Sequence, residues 1–277
     1  MTTAGAPAGT SLPVKGGFGL SHTASLVMVV LVAAVSASAL IYPSRIYPAH
    51  ELFTAFLAND VVNLLVGLPA LAVSIGLTRR GSLIGLLFWP GALLYLLYNY
   101  LPPLLCLPLN PAFLLELAIV TLSLYTLVAV AAQTDFEAVK ARLTGAVAER
   151  TGGAVLAALG LLTLLRALIE LIRAMILPIA TSRAAIALDA VDTLFGPAFL
   201  LGGILLWRRH AFGYVAGLAL LFLASMLFVG LIAYMAVQRL IGTGSAGLGD
   251  VLAVLVMGTA VFIPFWLFLR GVARSRS

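Results

Sequence analysis

Charge is scarce in this chain: of 277 residues, 16 are Lys or Arg and 10 are Asp or Glu. A water-soluble domain has roughly a quarter of its residues charged. Here 62% are hydrophobic and the mean hydropathy is +1.15. No water-soluble core of this size hides so much apolar surface, so the membrane is the solvent.

Cysteine is nearly absent. Cys106 stands alone, which excludes an intramolecular disulfide, a CxxC redox pair and a thiolate metal cage. Neither lysine, Lys15 or Lys140, lies in an apolar run, which excludes a retinal-type Schiff base. The three histidines, His22, His50 and His210, show no HxxH or HxxxH spacing. His50-Glu51 precedes Asp60 in one loop, but a single imidazole there does not define a metal site. Gly242-Thr-Gly-Ser-Ala-Gly247 lacks the G-x-S-x-G pattern and no histidine follows it, so it reads as a turn. No catalytic constellation, cofactor motif or metal set is assigned.

The basic residues that are present, for a net charge of +6 and a pI near 9.8, sit in short clusters between apolar runs. That distribution fits loops facing anionic lipid headgroups and not nucleic acid.

Eight apolar runs have the length of a transmembrane helix, at about 24–42, 58–78, 82–101, 111–132, 154–177, 186–207, 211–238 and 249–269. The expectation is an all-α integral membrane protein. Residues 1–23 read as a disordered cytoplasmic tail and 271–277 as a basic one. Ala37-Ser38-Ala39 resembles a signal-peptidase site, but the repeat below requires the first span to be retained. Pro90-Gly91 predicts a kink in the third span. In the linker 133–153, Val139, Leu143 and Val147 recur every fourth residue, predicting an amphipathic helix on the membrane surface.

If Arg79-Arg80 face the cytoplasm, eleven basic residues lie inside: Lys15, Arg79, Arg80, Lys140, Arg142, Arg150, Arg208, Arg209, Arg270, Arg274 and Arg276. Arg45, Arg183 and Arg239 lie outside. The positive-inside rule then puts both termini in the cytoplasm of a cell (inner or plasma) membrane protein. Trp207 and Trp266 fall at the inner interface, and Tyr98, Tyr100 and Tyr234 at the outer one.

Sliding the chain by 129 residues lays 58–80 over 187–209 with ten of 23 positions identical, among them Asp60, Gly67, Arg79 and Arg80. Apolar composition alone does not align Asp, Gly and an Arg-Arg turn. The expectation is a tandem duplication of a four-helix unit, 24–132 and 154–270, related by an axis along the membrane normal.

Charges inside such spans are costly and mark functional sites. Asp60 and Asn63, and likewise Asp189 and Asp192, are spaced i, i+3 and share a helix face. Glu116 lies in the fourth span, and Arg166, Glu170 and Arg173 form an i, i+4, i+7 stripe in the fifth. These eight residues are the candidate solute- or ion-binding set, walls of an outward-facing acidic cavity. The alternative is structural: Asp60 and Asp189 cap helix N-termini, and the stripe is an internal salt-bridged set. Asn99, among Tyr95, Tyr98 and Tyr100, either lines that cavity or belongs to an aromatic belt. Gly213-x-x-x-Gly217 permits close helix packing.

The blocks NDVVNLLVGLPALAVSIGLTRRGSLIGLL, NPAFLLELAIVTLSLYTL and LLGGILLWRRHAFGYVAGLALL resemble a group of uncharacterised multi-pass membrane proteins of bacteria and archaea. The resemblance spans about 58–130 and 187–225 and implies no activity. The expected function is that of a small secondary transporter or permease in the lipid bilayer, handling a small solute or ion. The alternatives are an accessory, structural or sensory subunit of a membrane complex or homo-oligomer, and a lipid-modifying enzyme.

Overall fold

A computed structural model describes residues 12–177, 181–240, 242 and 247–274. The described residues are helical apart from turns and one isolated β-bridge. The helices are α1 (Gly19–Ile41), α2 (Pro43–Ile46), α3 (His50–Val62), α4 (Leu68–Arg79), α5 (Leu83–Cys106), α6 (Phe113–Gln133), α7 (Phe136–Leu143), α8 (Glu149–Ile176), α9 (Arg183–Trp207), α10 (Ala211–Leu240) and α11 (Leu248–Arg274). A five-residue π-helical turn, Asn63–Gly67, joins α3 to α4 into one long helix. Among the described residues eight helices are therefore long and apolar enough to cross a bilayer, the number expected. At 1.5 Å per residue the shortest of them spans the ~30 Å hydrocarbon core.

The second span starts at His50 instead of 58. The segment His50–Asn59 reads as a loop because it carries His, Glu, Thr and Asn. In the structure Leu52, Phe56, Ala58 and Asp60 turn into the bundle, and their burial winds the segment into helix.

The expected disordered tail also needs correction over 12–23. The Lys15 amide donates to the Gln133 carbonyl at 2.7 Å, and the Asp135 amide to the Pro13 carbonyl at 2.9 Å. Phe18 packs edge-on against Trp89, His22 stacks on the same indole, and helix begins at Gly19. The tail is ordered because a buried tryptophan gives it something to pack on. Residues 1–11 and 275–277 lie outside the described residues, as do 243–246 of the glycine-rich turn.

α5 and α10 are the most buried spans and cross at the centre; α8 and α11 are the most exposed. α5 runs as continuous helix through Pro90. A Cβ on Gly91 would stand 2.5 Å from the Ala219 carbonyl oxygen, so the bare glycine is what lets α10 approach. The predicted surface helix in the linker is α7, which ends at Leu143, and its apolar stripe turns inward: Val139 and Leu143 are buried with α10 among the neighbours of α7, as is Val147 in the turn that follows. Glu149 fixes the linker, accepting from the Gly145 amide at 2.9 Å and from the Tyr214 hydroxyl at 3.1 Å.

The tightest helix pair is α8 with α9, whose seam is made of glycine. A Cβ on Gly203 would lie 2.5 Å from the Ala157 amide nitrogen and 2.6 Å from the Gly153 carbonyl. Both obstacles are backbone, which cannot swing aside. Gly203→Leu is expected to cost about 1–3 kcal/mol through overpacking and to lower the Tm of the detergent-purified protein. Gly76→Ala, where a Cβ meets nothing within 4 Å, is expected to leave Tm unchanged or raise it slightly. Equal responses would mean that the seam is looser than described.

Candidate functional site

The eight charged and polar positions expected to line one cavity are sorted by the structure into separate groups. Asp60 and Asp189 lie well inside their helices, which begin at His50 and Arg183, so neither is an N-terminal cap. Ser182 caps α9 instead, its Oγ accepting from the Ala185 amide at 3.1 Å.

The first group joins α8, α9 and α5. Arg166 Nη2 donates to Asp189 Oδ1 at 3.0 Å and to Asp192 Oδ2 at 2.5 Å. The i, i+3 spacing on α9 turns both carboxylates toward one guanidinium, as the sequence pattern requires. Tyr98 Oη donates to the other Asp192 oxygen at 2.7 Å, and the Tyr98 ring meets Phe195 edge-on. Both Asp192 oxygens are thus engaged. The two aspartates are buried, whereas the Arg166 side chain is 52% exposed on the flank of α8. Two carboxylates facing one guanidinium leave a formal charge of −1.

The second group joins α1, α3, α5 and α6. Asp60 and Glu116 are buried at 4% and 2% exposure. Tyr47, in the connection between α2 and α3, donates its hydroxyl to Asp60 Oδ2 at 2.5 Å. Ser36 and Tyr100 hydroxyls lie 3.2 Å apart beside them. Burial, followed by the Asp60 carboxylate and its hydrogen bond, raises the Tyr47 phenol well above its usual range, with Glu116 and Tyr100 adding to the effect. The neutral phenol is therefore the donor. Because the folded-state value is raised, the stability this contact contributes is fully present below about pH 10, the ordinary tyrosine value, and is lost only above it.

The remaining candidates stand apart. Glu170 and Arg173 pair with each other at 3.1 Å on the exposed surface of α8, so the predicted stripe divides, with Arg166 alone reaching inward. Asn63 opens the π-helical turn, 1% exposed, its Oδ1 without a hydrogen-bond partner. Such turns inside α-helices occur frequently at functional sites.

A cavity of about 550 Å³ lies between α3, α5, α8, α9, α10 and α11, within the range of small-molecule sites. Its walls are mostly apolar, with Phe56, Phe199, Phe228 and Met257 prominent. The polar exceptions are Asn59, Asn99, Tyr95, Tyr98, Thr163, Ser182, Asp192 and Tyr234. Of the eight expected residues only Asp192 is a wall; Asp60, Glu116 and Asp189 are not. Tyr98 and Tyr234 line the cavity, and Tyr100 is buried. Asn59, which the sequence pattern did not single out, stands about 100° around α3 from Asp60 and so turns to the cavity where Asp60 does not. Among the described residues no three His, Cys, Asp or Glu side chains converge to hold a metal.

No family model, curated protein or solved structure matches the chain. The reading of the site rests on its own geometry.

Arg166→Met is expected to lower Tm, because it leaves two buried carboxylates facing each other without a cation. Adding Asp192→Asn removes one of those charges and is expected to recover part of the loss. A double variant no more stable than Arg166→Met would show that charge balance is not what the arginine supplies.

Proposed function

We propose that the protein is a small membrane carrier for a solute with an apolar body and a single positive charge. The observation that carries this reading is the cavity: apolar and aromatic walls, with Asp192 as its charged wall residue. The aromatic faces favour a cation, and the −1 balance of Asp189, Asp192 and Arg166 attracts one. An anionic solute would meet the carboxylates first. Asn59 and Asn99 supply neutral hydrogen-bonding groups that fix its orientation.

A 4+4 duplication would support a carrier, since its halves would bracket the cavity. In that reading α1 corresponds to α8, the α3–α4 helix to α9, α5 to α10, and α6 to α11. The turn after Arg79-Arg80 has its left-handed residue at Gly81, and the turn after Arg208 has it at Arg209. The connecting turns 80–82 and 208–210 are equally long, but α9 ends one residue earlier in the register than α4, so the offset falls from 129 to 128 and Gly85 pairs with Gly213. A Cβ on either would collide with the backbone of the preceding helix, at Leu77-Thr78 and Leu205-Leu206 respectively. At the same offset Gly91 corresponds to Ala219, and these two meet where α5 crosses α10. Equivalent residues in mutual contact are what a two-fold axis through the crossing produces. With the basic loops in the cytoplasm, both termini are cytoplasmic and the cavity lies toward the outer side.

A second reading, assembly through α8 with a partner or another copy, is favoured by one observation. Leu162, Leu165, Ile169 and Ile172 are exposed on the same flank as the half-exposed Arg166. A guanidinium facing lipid mid-helix is costly, and a second protein surface would cover it.

The test uses tetraphenylphosphonium as an apolar monocation, with benzoate as its anionic counterpart. At a hundred times Kd the cation is expected to stabilise the purified protein by roughly 2.7 kcal/mol. Asp192→Asn is expected to abolish that stabilisation, and benzoate to have no effect. Stabilisation that survives Asp192→Asn, or none in wild type, contradicts the carrier reading; a mass in lipid nanodiscs that is a multiple of the chain supports assembly.

A further inference from the structure

Asp60 and Glu116 have no role in the cavity, and they carry a different inference. Two carboxyl groups lie in the membrane-spanning part of the bundle, 4% and 2% exposed, and among the described residues no Lys, Arg or His forms an ion pair with either. An unbalanced charge there costs several kcal/mol, and two would repel each other as well. The second-half group solves the same problem with Arg166. This one contains no protein cation, so a positive charge has to come from outside the chain.

The surroundings narrow what that charge is. Tyr47 contributes its hydroxyl to Asp60 Oδ2 as a donor, so that oxygen is already occupied. Ser36 of α1 and Tyr100 of α5 hydrogen-bond to each other. The Oε2 atom of Glu116 is buried and has no hydrogen-bond partner. A carboxylate oxygen in that position is short of positive charge, whereas the protonated form is neutral. Cys106 of α5 also feels Glu116, and beyond it stand Glu51 of α3 and Arg183 of α9, neither paired with the two carboxyls. A metal cation has to be enclosed by several oxygens at once, whereas a proton needs only one; neither carboxyl lines the cavity.

We propose that Asp60 and Glu116 form a proton-binding site, separate from the solute cavity, that holds at least one proton at neutral pH. The proton resides on a carboxyl oxygen of the pair and returns to water at the end of the bundle where Tyr47 stands. The inference does not rest on the carrier reading: the site binds its proton whether or not a solute enters the cavity. If the carrier reading holds as well, this is where a coupling proton is carried.

The test uses dicyclohexylcarbodiimide on the full chain in lipid nanodiscs, without sodium, followed by peptide mass spectrometry. The reagent adds to protonated carboxyls in apolar surroundings and leaves ionised ones unmodified. An adduct on Glu116, Asp60 or both is expected near neutral pH, falling roughly tenfold per pH unit on the alkaline side of the midpoint. Sodium at constant pH is expected to leave the yield unchanged. Absence of an adduct on both residues at every pH, or a yield indifferent to pH, would overturn the proposal. Suppression by sodium at fixed pH would also overturn it and make the site one for a metal cation. Glu116→Gln provides a readout that does not depend on reagent access. Its amide imitates a protonated carboxyl, so its Tm is expected to match wild type at acidic pH and exceed it at alkaline pH. The reverse order would show that the ionised carboxylate is the native form.

Discussion

The contact on which the interior depends is the bridge from Arg166 to Asp189 and Asp192. In hydrocarbon an unpaired charge costs more than most packing contacts return, so three buried or half-buried charges on two helices are tolerable only if they meet. Their meeting fixes the rotation of α8 against α9 and selects the close glycine seam between them. It also presents the second Asp192 oxygen to the Tyr98 hydroxyl on the central helix α5. The bridge thereby links the peripheral pair α8–α9 to the middle of the bundle, and the cavity opens beside that junction.

The first half meets the same constraint with different chemistry. Where the second half places Asp189 and Asp192 against a guanidinium, the first places Asp60 against a phenol and sets Glu116 nearby without a cation. Asn63 takes the position of Asp192 in the sequence offset, and the helix passes through a π-helical turn there. If the halves descend from one unit, they have diverged most where charge is handled: Arg166 faces both aspartates on one side, while on the other no cation among the described residues forms an ion pair with Asp60 or Glu116. In the proposed carrier that asymmetry would set a solute wall on one side and an ion site on the other.

Much of the fold was legible because the membrane imposes simple arithmetic. Eight apolar runs of sufficient length became eight helices long and apolar enough to span a bilayer, and Val139 and Leu143 marked the stripe of α7, with Val147 just beyond its end. What could not be read was helix rotation. The α5 segment is apolar on every face, so nothing in its pattern says whether Tyr98 and Tyr100 look outward to an interface or inward to an aspartate. The partners that decide the matter are far apart in sequence: Tyr98 with Asp192, Tyr100 with Ser36. Polar residues misled at the start of α3, where a polar face turned to the protein interior resembles a loop. Glycine and proline misled at the N-terminus, where Phe18 docks on Trp89 in defiance of local composition. The i, i+3 acidic pairs were legible as pairs, but their separation into two groups depended on which helix supplied the arginine.

On the proposed reading one acidic group is ionised and paired with Arg166 while the other holds a proton, a claim with two halves. Infrared difference spectroscopy of the carboxyl C=O stretch, recorded in lipid with hydrogen–deuterium exchange, tests both halves of that claim in one protein. The account predicts a protonated-carboxyl band at neutral pH that shifts in deuterium, persists in Asp192→Asn, and is diminished in Asp60→Asn or Glu116→Gln. A band lost in Asp192→Asn and unchanged in the other two would place the proton on the wrong side of the molecule, and absence of any such band would contradict the account.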